Sequence, residues 1–168
     1  MIIAIIYVTL SFILDGLISN YVSINLVNPS YLRTIYTVIS LIVIYHYFEN
    51  EKKYLSILLI LGILFDIVYT NTFCLNIFIF FIIYLIIKQL DYLIDNNLFT
   101  INIKGIISII IYHVLTYILL LLVNYNNYNL NILLTIIIRS IIMTIIYTTI
   151  SYLLLNKIFK KLDNRKIK

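Results

Sequence analysis

The sequence predicts an all-α, polytopic integral membrane protein: a six-helix transmembrane bundle forming a single domain over residues 1–168. Three observations carry this reading. Hydrophobic residues make up 63% of the chain and charged residues only 11%, against about 45–50% and about 25% in a soluble domain. Mean hydropathy is +1.07. The apolar residues also fall into six runs, most of them close to the roughly 20 residues that a helix needs to cross hydrocarbon. A soluble fold of this length has too little interior to hide so much apolar surface. Composition therefore disfavours a soluble enzyme, a nucleic-acid reader and a secreted disulfide scaffold. Cys74 is the one cysteine, so no intrachain disulfide can form.

The elements follow in chain order. Residues 2–19 form the first span; they lack a basic leader and a small-residue cleavage site, so they read as a retained span and not a signal peptide. A polar stretch, 20–30, leads to the second span at 31–48. Pro29 suits that start, because it lacks the N–H that a helix's first turn leaves unsatisfied. Glu49, Asn50, Glu51, Lys52 and Lys53 form a charged connection. The third span is 54–70, and a tight turn at Asn71 and Thr72 feeds the fourth, 73–87. This pair is short, and a re-entrant pair is the alternative to two spans. From Lys88 to Asp95, Leu90, Leu93 and Ile94 share one side and Asp91 and Asp95 another, which predicts a helical extension of the fourth span. Asn96 and Asn97 break it. The fifth span is 105–123, a turn rich in Asn and Tyr covers 124–129, and the sixth span is 130–155. Residues 156–168 form a basic tail.

The positive charges orient the chain. Net charge is +5. With the N-terminus inside the cell, every lysine falls in 49–53, in 88–104 or in the tail, all on the cytoplasmic side. The opposite connections carry no lysine, and Arg33, near an outer end, reaches outward on a flexible stem. This is the positive-inside pattern, and it places both termini in the cytoplasm. The tail, with Lys157, Lys160, Lys161, Arg165, Lys166 and Lys168, reads as an anchor on the anionic leaflet of the plasma membrane. Tyr45 and Tyr47, and Tyr125 and Tyr128, sit where aromatic belts form.

Four residues stand out at membrane depth: Asp15, Gly62, Asp66 and Arg139. A charge in hydrocarbon is costly and usually faces the bundle interior or a partner. By depth alone, Arg139 is expected to pair with Asp66, with Asp15 as the second candidate. The expected role is an internal ion pair that orients helices; a polar ligand site or a contact with another protein's helix is the alternative. Gly62 lies on one stripe with Asp66, and glycine lets helix backbones approach closely in lipid. Ser56, Ser108, Thr116, Thr144, Thr148 and Ser151 are expected to supply hydrogen bonds between helices. His46 and His113 read as packed residues. A lone histidine per span makes a metal site improbable.

Catalytic patterns are missing. No phosphate-binding glycine loop, HExxH or CxxC occurs, and the connections are too small to hold a catalytic domain. The expectation is a non-enzymatic role with no cofactor, no metal and no nucleic-acid partner.

The stretch Gly62, Ile63, Leu64, Phe65, Asp66, Ile67, Val68, Tyr69, Thr70, Asn71, Thr72, Phe73, Cys74, Leu75, Asn76 resembles the G-x-x-x-D segment of the rod shape-determining protein MreD family. In that family an apolar helix carries the Gly and the Asp, and a short turn leads into the next helix. Pro29, Ser30, Tyr31 and Leu32 resemble the Pro-led start of the family's second helix. The resemblance extends in layout over most of the chain, and in motif over the segment that starts at Gly62. It implies a non-enzymatic component of the bacterial cell-elongation complex that regulates cell shape. The implied partners are an MreC-like bitopic membrane protein, an MreB-like actin homologue, a RodA-like glycosyltransferase and the elongation transpeptidase. Gly62 and Asp66 would hold the helix core or a partner contact. The family also looks like the substrate-binding membrane components of energy-coupling-factor vitamin transporters, which supplies the second reading.

Overall fold

The computed structural model describes residues 2–21, 34–48, 50–70, 72–95, 97–123 and 129–166, with the side chains of 19–21 and 162–166 left aside. The expected Pro29-led start of the second span, Ser30, Arg33, Glu49, Asn71, Asn96, Tyr125 and Tyr128 lie outside the described residues, as does the end of the tail. Among the described residues the chain is all helical. Six helices run α1 Ile2–Tyr21, α2 Tyr36–Tyr45, α3 Glu51–Phe65, α4 Leu75–Leu93, α5 Leu98–Leu122 and α6 Leu130–Lys166. A π-helical turn, Asp66–Thr70, continues α3.

Local chemistry sets these ends. Asn50 caps α3: its side-chain oxygen accepts the N–H groups of Lys52 (3.0 Å) and Lys53 (3.4 Å), so the helix starts at Glu51 and not at residue 54. Asn97 begins α5, and its own N–H donates to Thr100 Oγ1 at 2.8 Å. That start lies well before the expected residue 105. The cap lies among polar residues, where apolar content does not reveal a helix. α4 runs unbroken through the predicted extension to Leu93. α6 continues as one 37-residue helix into the tail. At 1.5 Å per residue it is about 55 Å long, far more than the roughly 30 Å of hydrocarbon.

Four helices are long and apolar enough to cross a membrane: Glu51–Thr70, Leu75–Leu93, Leu98–Leu122 and Leu130–Lys161. Two further apolar stretches are Ile2–Ile18, the part of the 20-residue α1 whose side chains are described, and the short helix Tyr36–Tyr45. The second differs most from expectation. The sequence predicts a span over 31–48, yet α2 has 10 residues, about 15 Å, or half the hydrocarbon thickness. Every residue from Tyr36 to Ile44 is buried. A helix that is apolar all round belongs in an interior, and α2 packs against α1, α5 and α6. The core of the bundle is therefore a half-length helix jacketed by longer ones.

The outer faces are apolar. Ile60, Leu122, Leu130 and Ile138 are among many large aliphatic residues left exposed. An apolar exterior over an apolar interior is what a bilayer requires of a protein. The chain is a multi-pass, all-helical membrane protein.

Small and hydroxyl residues set the α5–α6 contact. Ser140, Thr144, Thr148 and Ser151 form one buried stripe on α6. Gly105 faces it so closely that an added Cβ would lie 2.7 Å from Thr148 Cγ2. Thr148 bonds Asn102, and Thr144 meets Thr34 at 2.7 Å. Other hydroxyls behave differently from expectation. Ser56, Ser108 and Thr116 each donate to the carbonyl one turn back in their own helix, the usual resort of a hydroxyl within a helix.

Lys104, expected in a cytoplasmic connection, is buried in α5 and pairs with Asp91 of α4. Its side chain is 3% exposed and that of Asp91 18%. Removing one member leaves the other charge uncompensated, whereas removing both can be neutral. Lys104→Met is expected to lower stability by about 3 kcal/mol, and Lys104→Met with Asp91→Leu to recover most of it. Thermal unfolding of the detergent-solubilised variants checks this; equal losses in the single and double variants would contradict it.

Candidate polar hub at the crossing of the third and fourth helices

Gly62 and Asp66 sit where α3 crosses α4. A Cβ on Gly62 would lie 2.9 Å from Ile77 Cα and 3.2 Å from Ile77 N. Those are backbone atoms of α4, so only glycine allows this approach. One turn on, α3 passes into the π-turn that begins at Asp66. The chain then reverses through Thr72 and Phe73. Cys74 adopts a left-handed conformation, φ 59°, and stands at the N-cap of α4 with no side-chain cap bond of its own.

Asp66 supplies that cap from the neighbouring helix. Its Oδ1 accepts from the Asn76 backbone N–H at 3.0 Å, from Asn76 Nδ2 at 2.9 Å and from Thr72 Oγ1 at 2.7 Å. Its Oδ2 takes the same backbone N–H at 3.2 Å. Thr70 Oγ1 lies 3.4 Å from Oδ1 and accepts from Asn76 Nδ2 at 3.0 Å. A first-turn N–H has no partner within its own helix, and a carboxylate there also meets the positive end of the helix dipole. Asn76 relays the network onward: its Oδ1 accepts from the Tyr112 hydroxyl of α5 at 2.8 Å. Asp66 is 2% exposed and Asn76 0%. The hub thus joins α3, α4 and α5 inside the bundle.

Asp15 does the same for α2. Its carboxylate accepts the N–H groups of Tyr36 (3.0 Å) and Thr37 (2.7 Å) and the Thr37 hydroxyl (2.6 Å). The residue at the N-cap is Ile35, which has no polar side chain to offer. Tyr69, from the π-turn, links the two sites. Its hydroxyl donates to the Phe12 carbonyl of α1, and it closes over Gly16, where a Cβ would lie 2.7 Å from its Oη. Its ring also contacts Phe12 and Phe65.

The expected Arg139 pair does not form. Among the described residues the ion pairs are Lys88 with Glu51 and Lys104 with Asp91; Arg139 joins neither Asp66 nor Asp15. Both carboxylates instead take the N–H groups of a helix start. Arg139 Nη1 is buried without a hydrogen-bond partner. Thr70, Thr72 and Asn76 stand in the segment that bears the resemblance, but neither they nor Tyr112 were expected as members of a hub around Asp66. Asn76, a polar residue at the head of an apolar run, was the signal available. Among the described residues no three His, Cys, Asp or Glu gather to hold a metal. The hub's donors already occupy the Asp66 oxygens, so its chemistry is that of a hydrogen-bonded clamp.

No protein-family model, no curated protein and no solved structure matches the chain.

The clamp has a mutational signature. Asp66→Ala strips a charged acceptor from several buried donors and is expected to cost about 2–4 kcal/mol. Tyr112→Phe removes one hydrogen bond and should cost about 1 kcal/mol. Gly62→Val forces α3 away from α4 and should lower the melting temperature comparably to Asp66→Ala. Arg139→Leu deletes a half-buried guanidinium whose Nη1 lacks a partner, so it is expected to be neutral or stabilising. Melting in detergent reads all four; a loss at Arg139 as large as at Asp66 would contradict the assignment.

Proposed function

We propose that the protein is a non-enzymatic assembly component of the bacterial cell-elongation complex, in the manner of the MreD family it resembles. It regulates cell shape by holding wall-synthesis and filament partners together in the plasma membrane. The observation that carries the reading is the segment from Gly62 to Asn76. The residues that bear the resemblance, Gly62 and Asp66, are those that make the tight α3–α4 crossing and its polar clamp. Such a clamp supports a rigid scaffold. The core between α2, α3 and α4 also favours a packed scaffold: the cavity lined by Leu41, Leu58, Phe80 and Ile83 has about 10 Å³ of free space, close to the least that one water needs.

On this reading both termini lie in the cytoplasm and the Glu51–Lys88 end of the bundle faces inward. The lysine distribution supports it. The Asp15 and Asp66 ends then face outward, toward the wall-synthesis enzymes. The partners are the MreC-like and MreB-like proteins, with the RodA-like glycosyltransferase and its transpeptidase in the wider assembly.

Affinity capture of the tagged protein from its own cells, with partners identified by mass spectrometry, tests this. Recovery of the MreC-like and MreB-like proteins is expected, reduced in the Gly62→Val variant at matched protein level. Recovery of an ATPase pair with a coupling membrane protein would instead assign the chain to solute uptake and overturn the proposal.

A further inference from the structure

The bundle end that carries Glu51 sorts its lysines into two groups. Lys88 pairs with Glu51 and Lys104 with Asp91, so both are neutralised within the fold. Lys52, Lys53, Lys157, Lys160 and Lys161 are exposed. None of them has a carboxylate within ion-pair distance among the described residues.

The fold puts these five at one end of the bundle. The Tyr47 ring, just past the end of α2, stacks on the Phe159 ring of α6 with centroids 4.4 Å apart and planes 11° from parallel. Phe159 lies among the α6 lysines. Tyr47 leads directly into Asn50, which holds the first turn of α3 and its two lysines. The ring stack therefore ties the basic stretch of α6 to the end of α2 that leads toward the basic start of α3. Toward the bilayer, the adjoining outward faces are apolar: Leu59 and Ile60 on α3, and Leu153, Leu154 and Ile158 on α6, are exposed.

We propose that this surface binds an anionic phospholipid, its headgroup phosphate among the five lysines and its acyl chains on the aliphatic faces beside them. The inference rests on the membrane fold and is independent of the cell-elongation reading. Charge complementarity names the headgroup: flexible ammonium groups act as point charges toward phosphate. The adjoining aliphatic faces name the lipid, because a free anion has no use for them. A basic residue close to an anionic membrane surface strengthens binding about fivefold.

The test is a titration of the purified full chain in detergent with phosphatidylglycerol or phosphatidylcholine, bound lipid being counted by native mass spectrometry. Phosphatidylglycerol is expected to be retained at least about 25-fold over phosphatidylcholine, two lysines' worth of preference, and to fall away as salt screens the lysines. Replacing the five lysines by glutamine should abolish the preference; replacing them by arginine should keep it, which guards against a merely misfolded variant. Phe159→Leu leaves the charge unchanged and should weaken the preference several-fold, because the ring stack is lost. Four results would overturn the proposal: equal retention of both lipids, an unchanged preference in the glutamine variant, an unchanged preference in Phe159→Leu, or displacement of the lipid by millimolar inorganic phosphate.

Discussion

A helix that begins inside an apolar bundle presents N–H groups that neither water nor lipid can satisfy, and each group left bare there costs several kcal/mol. α2 begins in that way, and α4, which follows the exposed Phe73 and Cys74, turns the Asn76 N–H into the interior. The N-terminus of α2 sits among buried residues behind Ile35, and that of α4 follows a left-handed cysteine with no side-chain cap. Neither local sequence supplies a capping residue. Asp15 and Asp66, each on the preceding helix, supply the acceptor instead. The short α2 depends on this arrangement most, since a helix of its length gains little stability alone. A carboxylate in hydrocarbon is itself costly. Here each desolvation solves the other: buried carboxylate oxygens face buried N–H groups.

The rest of the bundle hangs on these two junctions. Each joins a pair of helices adjacent in sequence, α1 with α2 and α3 with α4. Tyr69 then ties the pairs together by reaching from the π-turn to the Phe12 carbonyl across Gly16. A π-turn widens a helix locally and turns its side chains away from the regular α register, and this one falls where Asp66 and Tyr69 serve two different neighbours. At the opposite end the charges behave conventionally. Among the described residues carboxylates meet lysines in two pairs, and Lys52, Lys53, Lys157, Lys160 and Lys161 lie at the surface. Paired charges at one end and polar caps at the other give the bundle its polarity.

Much of this was legible in the sequence, and the failures share a cause. Apolar runs located α1, α3, α4 and α6 because hydrocarbon demands long apolar segments. They overextended α2, since an apolar run says only that residues are buried, and lipid and protein interior look alike on that scale. They started α5 late because Asn97 and Lys104 are polar, although one caps the helix and the other is buried against Asp91. Gly62 and Asp66 were found because small and charged residues are conspicuous among isoleucines. The partner of Asp66 was missed because depth cannot distinguish a side-chain cation from a helix N-terminus, and both attract a carboxylate. Asn76 and Tyr112 were hidden for a simpler reason: Asn and Tyr are common throughout this chain, so neither drew notice.

The central claim is that Asp15 and Asp66 cap helix starts whose N–H groups point into the bundle. Amide hydrogen exchange, resolved by residue in detergent micelles, addresses it most directly. In Asp66→Ala the Asn76 amide is expected to lose its protection while Thr37 keeps its own; in Asp15→Ala the Tyr36 and Thr37 amides should lose theirs while Asn76 does not. Retained protection at Asn76 in Asp66→Ala, or loss spread evenly over the bundle, would contradict the account.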